Sequence, residues 1–203
     1  MSVIRLLVLG AVRQHGRAHG YQVRNDLEFW GAHQWSTAKP GSIYHSLKQM
    51  AKQGLLIAHE VAPSTAGGPP RTEYELTPEG EETYLDLLRW ALRSHDERID
   101  VLTGGVGFLV DLPRAEAIAL LKERVAALEA WRAEVLDAWT PQESPAEWGH
   151  IGEVMRLWVH NADSSAAWTR GLIERLEHGA YVMAGEGRRS VEVLPDGMTN
   201  PFA

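Results

Sequence analysis

The segment Gly41-Ser42-Ile43-Tyr44-His45-Ser46-Leu47 carries the most structural information in this chain. We predict a helix over residues 41–53 and project it at about 100° per residue. One arc of this helix is apolar and consists of Ile43, Leu47, Met50 and Ala51. The opposite arc is polar and holds no carboxylate; it consists of His45, Lys48, Gln49 and Lys52, with Ser42 and Tyr44 at its margins.

Two helices are predicted before this segment. Residues 2–14 repeat apolar side chains at helical spacing, and a second helix follows the glycine-containing turn at residues 15–20. The stretch from Gly31 to Pro40 is polar, and we expect it to form a loop.

Two strands and another helix are predicted after it. Gly54 is placed to end the helix as a C′ glycine. Residues 55–61 and 71–76 have strand character, and a turn-rich tip, residues 62–70, separates them. Thr77 is expected to cap the next helix, with Pro78 at its first position. This order predicts a winged helix-turn-helix: a mainly α fold with a small two-stranded β-wing.

The remainder of the chain is predicted to be helical. One helix should continue through Leu102 to a break at residues 104–107; two more are expected at residues 113–139 and 147–177, joined by a loop at 140–145. We therefore predict three parts: a winged helix-turn-helix DNA-binding domain at 1–80, an α-helical dimerisation and effector domain at 81–179, and a flexible tail at 180–203.

Five pieces of residues 19–80 resemble the PadR family of transcriptional regulators. They are, in chain order, His19-Gly20-Tyr21, residues 41–47, Gly54-Leu55-Leu56, residues 67–74 and Leu76-Thr77-Pro78-Glu79-Gly80. The resemblance implies a dimeric repressor that binds a palindromic operator, that dimerises through its C-terminal helices and that a small aromatic or drug-like molecule releases. Residues 100–177 resemble the helical region of the longer members.

Two positions depart from the common pattern of that family. His45 stands where many members have proline after the tyrosine, and the wing carries Arg71 and Thr72 where many members are more basic. These departures concern contacts with bases and phosphates rather than the fold.

The predicted DNA-binding residues lie on the polar face of the helix and around it. Ser42, Tyr44 and His45 are the candidates for reading base edges, while Lys39 and Lys48 suit phosphates or guanine. For Tyr44, packing with a hydrogen bond to a phosphate is an alternative, and a solvated surface helix would also account for Lys48.

The outlying candidates are Arg71, Thr72 and Tyr21. Arg71 at the base of the wing suits the minor groove or the backbone, and an ordinary cation at a strand end is the alternative. Tyr21 suits a phosphate contact or core packing.

Six of the eight tryptophans lie beyond residue 89, and they suggest a site for a flat aromatic effector. The candidate effector-binding residues are Trp90, Trp131, Trp158, Asn161 and Trp168. Filling of the helical core and of the dimer interface is the plainer explanation for any one tryptophan.

Charge is divided unevenly along the chain. The formal net charge is −7. Residues 1–80 hold eight Lys/Arg and six Asp/Glu, whereas residues 81–203 hold twelve Lys/Arg and twenty-one Asp/Glu. Phosphate affinity depends on where the cations lie, so an acidic C-terminal half is compatible with a DNA-binding N-terminal half.

The sequence also argues against several other classes of protein. It has no cysteine, which fits a cytoplasmic protein, and no apolar run long enough for a membrane span. It has no phosphate-binding loop, nucleophile elbow or zinc-protease motif, so we expect neither an enzyme nor a cofactor. His15 and His19 lie four residues apart, but the intervening Gly16 favours a turn over a metal pair.

The alternative function is a winged-helix interaction module. In that case the helical domain would recognise another protein, and DNA contact would be secondary. The acidic balance of residues 81–203 is its best support.

Overall fold

The computed structural model describes residues 3–61, 71–139 and 148–187, without the side chains of Val61 and Arg71. These residues divide into two compact units. The first unit comprises residues up to Ala91 together with Arg98–Phe108, and the second comprises Leu92–Glu97 and the residues from Leu109 onward.

The first unit is built from six helices and one small sheet among the described residues. In chain order the elements are α1 (Val3–His15), β1 (Arg17–His19), α2 (Gly20–Phe29), α3 (Ala32–Trp35), α4 (Pro40–Lys52), β2 (Leu56–Val61), β3 (Arg71–Leu76), α5 (Pro78–Arg93) and α6 (Ile99–Gly107). The predicted helices at 2–14 and 41–53 and both predicted strands are present within one or two residues at each end.

The sheet has three antiparallel strands in the order β1-β3-β2, one strand more than the predicted two-stranded wing. Arg17 lies opposite Glu75, and Ile57 lies opposite Glu75 from the other side. The third strand, β1, is only three residues long, and Gly16, at φ +70°, turns the chain into it. Ala18 at its centre is fully buried, while no alternation of apolar residues precedes or follows it.

The predicted loop at Gly31–Pro40 contains the short helix α3, so that part of the prediction is wrong. Gly31 adopts φ +64° and reverses the chain after α2. Ala32 is fully buried, and Trp35 donates its indole N–H to the carbonyl of Trp30 at 3.1 Å. One turn of helix with a single buried alanine has no periodicity that a sequence pattern could reveal.

The end of α4 and the start of α5 are joined at one peptide group. Gly54, at φ +77°, donates to the carbonyl of Ala51, and Leu55 donates to that of Met50, which is the predicted glycine-ended helix. Thr77 caps α5 as predicted, because its Oγ1 accepts from the N–H of Gly80 at 2.9 Å. A Cβ at Gly80 would lie 2.0 Å from the carbonyl oxygen of Leu55, so only glycine fits.

The hydrophobic core of the first unit is organised around α1 and Phe108. Leu7, Val8 and Ala11 of α1 are buried. Gly10 faces the ring of Phe108 so closely that a Cβ would lie 2.3 Å from its Cζ. Phe108 packs edge-on against Tyr84, with 5.8 Å between ring centroids.

The single long helix predicted through Leu102 is wrong. α5 ends at Arg93, and α6 begins at Ile99, whose side chain is 74% exposed instead of continuing the apolar stripe. The expected break at residues 104–107 lies inside α6, because Gly104 packs against α1: a Cβ there would lie 3.0 Å from Cγ2 of Val3. Gly104 thus permits close packing against α1 from within the helix, and α6 ends at Gly107.

The second unit contains a short 3-10 turn (Leu109–Asp111) and two long helices, α7 (Arg114–Ala138) and α8 (Ile151–Glu177). α7 agrees with the predicted helix at 113–139, and α8 begins four residues later than expected. Lys122 contacts Glu177 and Arg132 contacts Asp163, so the two helices run antiparallel. The predicted loop at 140–145 lies outside the described residues.

Residues 180–187, where we placed the start of the tail, are attached to the start of α7. Arg114 donates to the carbonyls of Leu176, Ala180 and Tyr181 and forms two hydrogen bonds with the carboxylate of Glu186. This pairing lowers the pKa of the Glu186 carboxyl. Residues 188–203 of the predicted tail lie outside the described residues.

Candidate nucleic-acid interface

Helix α4 presents the polar face that its sequence predicts. Ile43, Leu47 and Met50 are at most 3% exposed and fasten the helix to the core. The exposed face consists of Tyr44, His45, Lys48, Gln49 and Lys52. It offers two cations and several hydrogen-bonding groups with no carboxylate among them.

Ser42 has a structural role at the start of α4. Its Oγ accepts the N–H of Lys39 at 2.9 Å and donates to the carbonyl of Lys39 at 2.7 Å. The hydroxyl proton is therefore already used, so toward another molecule Ser42 can act only as an acceptor. Gly41 beside it is exposed, and a Cβ there would meet no atom within 4 Å.

Tyr44 is held in place by a glycine on the neighbouring helix. A Cβ at Gly20 would lie 2.7 Å from Cε1 of the Tyr44 ring, so the absence of a side chain at Gly20 makes room for that ring. Tyr44 is nevertheless 39% exposed. Two pieces of the sequence pattern, His19-Gly20-Tyr21 and residues 41–47, therefore meet in space at this contact.

Tyr21 lies outside the buried core. It is 43% exposed, and its ring stacks on that of His19 at 5.4 Å and 17°. Lys39 is also exposed, and it precedes the first residue of α4.

The wing residues occupy the start of β3. Arg71 is the first residue of that strand and pairs with Val61, while the half-buried Thr72 pairs with Glu60. The tip at residues 62–70 lies outside the described residues, as does the side chain of Arg71.

Two carboxylates of the sheet, those of Glu73 and Glu75, are paired with nearby cations and histidines. Glu75 contacts Arg17 at 2.8 Å and Nε2 of His59 at 2.9 Å, and the hydrogen bond from Arg17, followed by that of His59, lowers the pKa of its carboxyl. Glu73 lies 3.2 Å from Nε2 of His19. Arg17 offsets part of the negative charge that these glutamates bring to the first unit.

The tryptophans expected at an effector site are divided between the two units. Trp131 and Trp158 lie close together in the second unit, with 6.1 Å between ring centroids. Trp168 and Asn161 are exposed on α8, whereas Trp90 belongs to the first unit. The structure thus pairs two of the five candidates.

A groove lies beside the start of α4. The sequence did not predict it, because helix α3, which forms part of its wall, was predicted to be a loop. Its volume is about 470 Å³. It is lined by side chains of α2, α3, the turn before α4 and α4 itself, namely Leu27, Glu28, Ala32, His33, Ala38, Pro40 and Ile43.

The described residues contain no group of three His, Asp or Glu side chains that could hold a metal ion. His15 contacts Asp26 at 2.8 Å and His19 contacts Glu73, so each member of the His15–His19 pair faces a separate carboxylate. Within the described ranges, no helix is both long enough and apolar enough to cross a membrane.

The contact between Gly20 and Tyr44 generates a prediction about stability. Gly20→Ala should lower the free energy of unfolding by about 1–3 kcal/mol, because the new methyl group must displace a packed ring. In a Tyr44→Ala background the same substitution should cost less, since the ring is gone. Urea unfolding of the unsubstituted chain, the two single variants and the double variant measures the coupling free energy between the two positions. An equal loss of stability from Gly20→Ala in both backgrounds would contradict the contact.

The family model for the transcriptional regulator PadR-like family matches residues 8–85. Solved structures that match this chain include Bacillus subtilis PadR in complex with operator DNA, at 21% identity, 86% coverage of this chain, 99% coverage of that chain and a TM-score of 0.39. B. subtilis PadR in complex with p-coumaric acid matches at 22% identity, with 86% of this chain and 99% of that chain covered and a TM-score of 0.35. A PadR-like transcriptional regulator from Bacillus cereus matches at 19% identity, with 86% of this chain and 98% of that chain covered and a TM-score of 0.35. No curated protein matches the chain.

The matched range runs from α1 into α5 and contains all three strands and helix α4. The matched family is one of transcriptional regulators. Residues 8–85 thus form a region that is similar to the PadR-like family of transcriptional regulators.

Proposed function

We propose that this protein is a cytoplasmic, dimeric transcription repressor that binds a palindromic operator and is released by a small aromatic effector. The exposed face of α4 carries this proposal. It combines Lys48 and Lys52 with His45 and Gln49 on a helix whose other side is fixed in the core. A helix of this kind fits the major groove of DNA.

The contacts differ in their expected roles. His45 and Tyr44 are exposed near the start of α4, from which base edges are read in helix-turn-helix proteins. Ser42, as an acceptor, suits the amino group of adenine or cytosine. Lys39, Lys48, Tyr21, Arg71 and Thr72 are assigned to phosphates or the groove walls.

The dimer is proposed to form through α8. This helix exposes a row of large apolar side chains, which consists of Ile151, Val154, Leu157, Trp158 and Trp168. We call this row the α8 stripe. Ala162, Ala166 and Leu172 of the same helix are buried. A second copy would cover the stripe and give the assembly two α4 helices, as reading of a palindromic site requires.

The effector is proposed to bind near the paired rings of Trp131 and Trp158, with Asn161 and Trp168 on the same helix as Trp158 and Trp90 as the remaining candidate. Stacked or tilted indoles favour flat aromatic molecules. Release of DNA requires that the molecule bind the DNA-incompatible state more tightly than the DNA-bound state.

The DNA role predicts a particular response to substitution of Lys48. Gel-shift titration with duplex from upstream of the protein's own gene should give tighter binding than a random duplex at moderate salt. Lys48→Ala should weaken binding and reduce the slope of log K against log salt by about one, as one phosphate contact is lost.

Lys122→Ala is the matched control for this experiment, because Lys122 is an exposed lysine of the second unit paired with Glu177. It should bind as the unsubstituted protein does. Equal binding of operator and random duplex would refute the proposed operator recognition.

The proposed dimer predicts a change of mass in solution. Leu157→Glu places a charge in the middle of the α8 stripe, where the native side chain is 55% exposed, and it should produce monomers at concentrations where the unsubstituted chain is dimeric. Light scattering after size exclusion measures the mass. Ile99→Glu, at another exposed apolar position, should remain dimeric; a dimeric Leu157→Glu protein would remove α8 from the interface.

The effector proposal predicts that a quencher of tryptophan fluorescence also releases operator DNA. A panel of small aromatic compounds is scored for both effects on the full chain. Trp158→Leu should weaken the binding of active compounds about tenfold or more, because the ring pair is lost. A panel in which no quenching compound releases DNA would count against an effector site among these rings.

The alternative function is an interaction module whose helical domain recognises another protein. The balance of −9 over residues 81–203, from twelve Lys/Arg and twenty-one Asp/Glu, favours it. A chain that is monomeric and binds operator no better than random DNA would support this alternative, because a palindromic site is read by a two-fold dimer.

A further inference from the structure

The most deeply buried cation of the second unit has no carboxylate partner among the described residues. Arg124 is 5% exposed and lies on the side of α7 that faces α8. Its Nη2 donates to Oγ of Ser165 at 3.1 Å, while its Nε is buried without a hydrogen-bond acceptor. Burial lowers the pKa of the guanidinium, with no carboxylate opposing the effect.

Three other cations on these two helices are paired. Lys122 contacts Glu177, Arg132 contacts Asp163 and Arg170 contacts Glu129. Those three cations are at least 40% exposed, so water already screens them. The two helices therefore place carboxylates beside three cations that water already stabilises. They place none beside the buried guanidinium of Arg124.

The described residues around Arg124 offer it no negative charge. Its one hydrogen-bond partner on α8 is Ser165, and Ala162, Ala166 and Thr169 of the same helix are each at most 4% exposed. Along α7 its neighbours are Leu121 and Leu128, which are also buried. An uncompensated guanidinium in such surroundings is strongly unfavourable, which is why buried arginines normally face an anion.

We propose that Arg124 and Ser165 form a binding site for one carboxylate group at the α7–α8 contact. The Nε–Nη2 edge of a guanidinium presents two parallel N–H groups that match the two oxygens of a carboxylate. Ser165 accepts from Arg124 and so keeps its own hydroxyl proton for the same anion. A single negative charge balances Arg124, whereas a phosphate would add an excess charge to a buried site.

Two sources can supply this group: a small organic acid or an acidic side chain of a second copy of the chain. The second source rests on the proposed dimer, whereas the first does not. Neither source involves DNA, so the test is independent of operator binding.

The test compares the full chain with Arg124→Met and with the control Arg132→Met, whose arginine already has Asp163 as its partner. Thermal unfolding is followed by tryptophan fluorescence in sodium chloride, sodium acetate and sodium benzoate at equal ionic strength. Light scattering gives the mass of each protein across a range of concentrations.

For a small-molecule site, acetate or benzoate should raise Tm by about 2–4 °C over chloride in the unsubstituted chain and in Arg132→Met. Arg124→Met should show no such rise. For a site completed by the second copy, the anions should have no effect, and Arg124→Met should dimerise at least tenfold more weakly than Arg132→Met.

The proposal is overturned if Arg124→Met matches Arg132→Met both in its response to the anions and in its mass. If Arg124→Met does not fold, Arg124→Lys is used, which keeps the charge but lacks the two-pronged edge. That variant should lose the anion response or the dimer; behaviour identical to that of the unsubstituted chain in both measurements would also overturn the proposal.

Discussion

The carbonyl group of Leu55 is the point on which the arrangement of the first unit depends. It accepts the N–H of Thr77 at 3.1 Å, and the chain at Gly80 passes so close to it that no Cβ fits. One peptide group thereby joins the end of α4, the end of β3 and the start of α5. Because backbone atoms make this junction, the direction of α4 relative to the sheet depends little on the rotamers of surface side chains.

The same principle places the exposed tyrosine of α4. Gly20 gives the Tyr44 ring a surface to lie on, and Gly10 does so for Phe108 in the core. Each glycine is visible in the sequence, but its partner is 24 or 98 residues away. The recurring His19-Gly20-Tyr21 piece of the PadR-like pattern thus has a physical reason in this chain: it shapes the position of a residue on another helix.

Local patterns predicted α4 well and long-range contacts poorly. The two arcs of α4, the glycine end at Gly54 and the cap at Thr77 depend on residues within a few positions of each other, so the sequence contains all the necessary information. β1 and α3 are three and four residues long and depend on burial of Ala18 and Ala32 against distant elements. The helix prediction through Leu102 was wrong because Ile99 has the spacing of an apolar helix face, although its side chain is exposed.

Charge shows the same division between local and distant information. A net charge of −7 argues against DNA binding only if the carboxylates lie near the DNA, and in the first unit Glu75 and Glu81 are held by Arg17 and Arg13. Their partners are 58 and 68 residues away in the chain, so counting charges along the sequence could not pair them. Arg124 is the converse case. The sequence offers many nearby glutamates, yet none of the described ones pairs with it, and a buried positive charge without an anion is the observation behind the proposed carboxylate site.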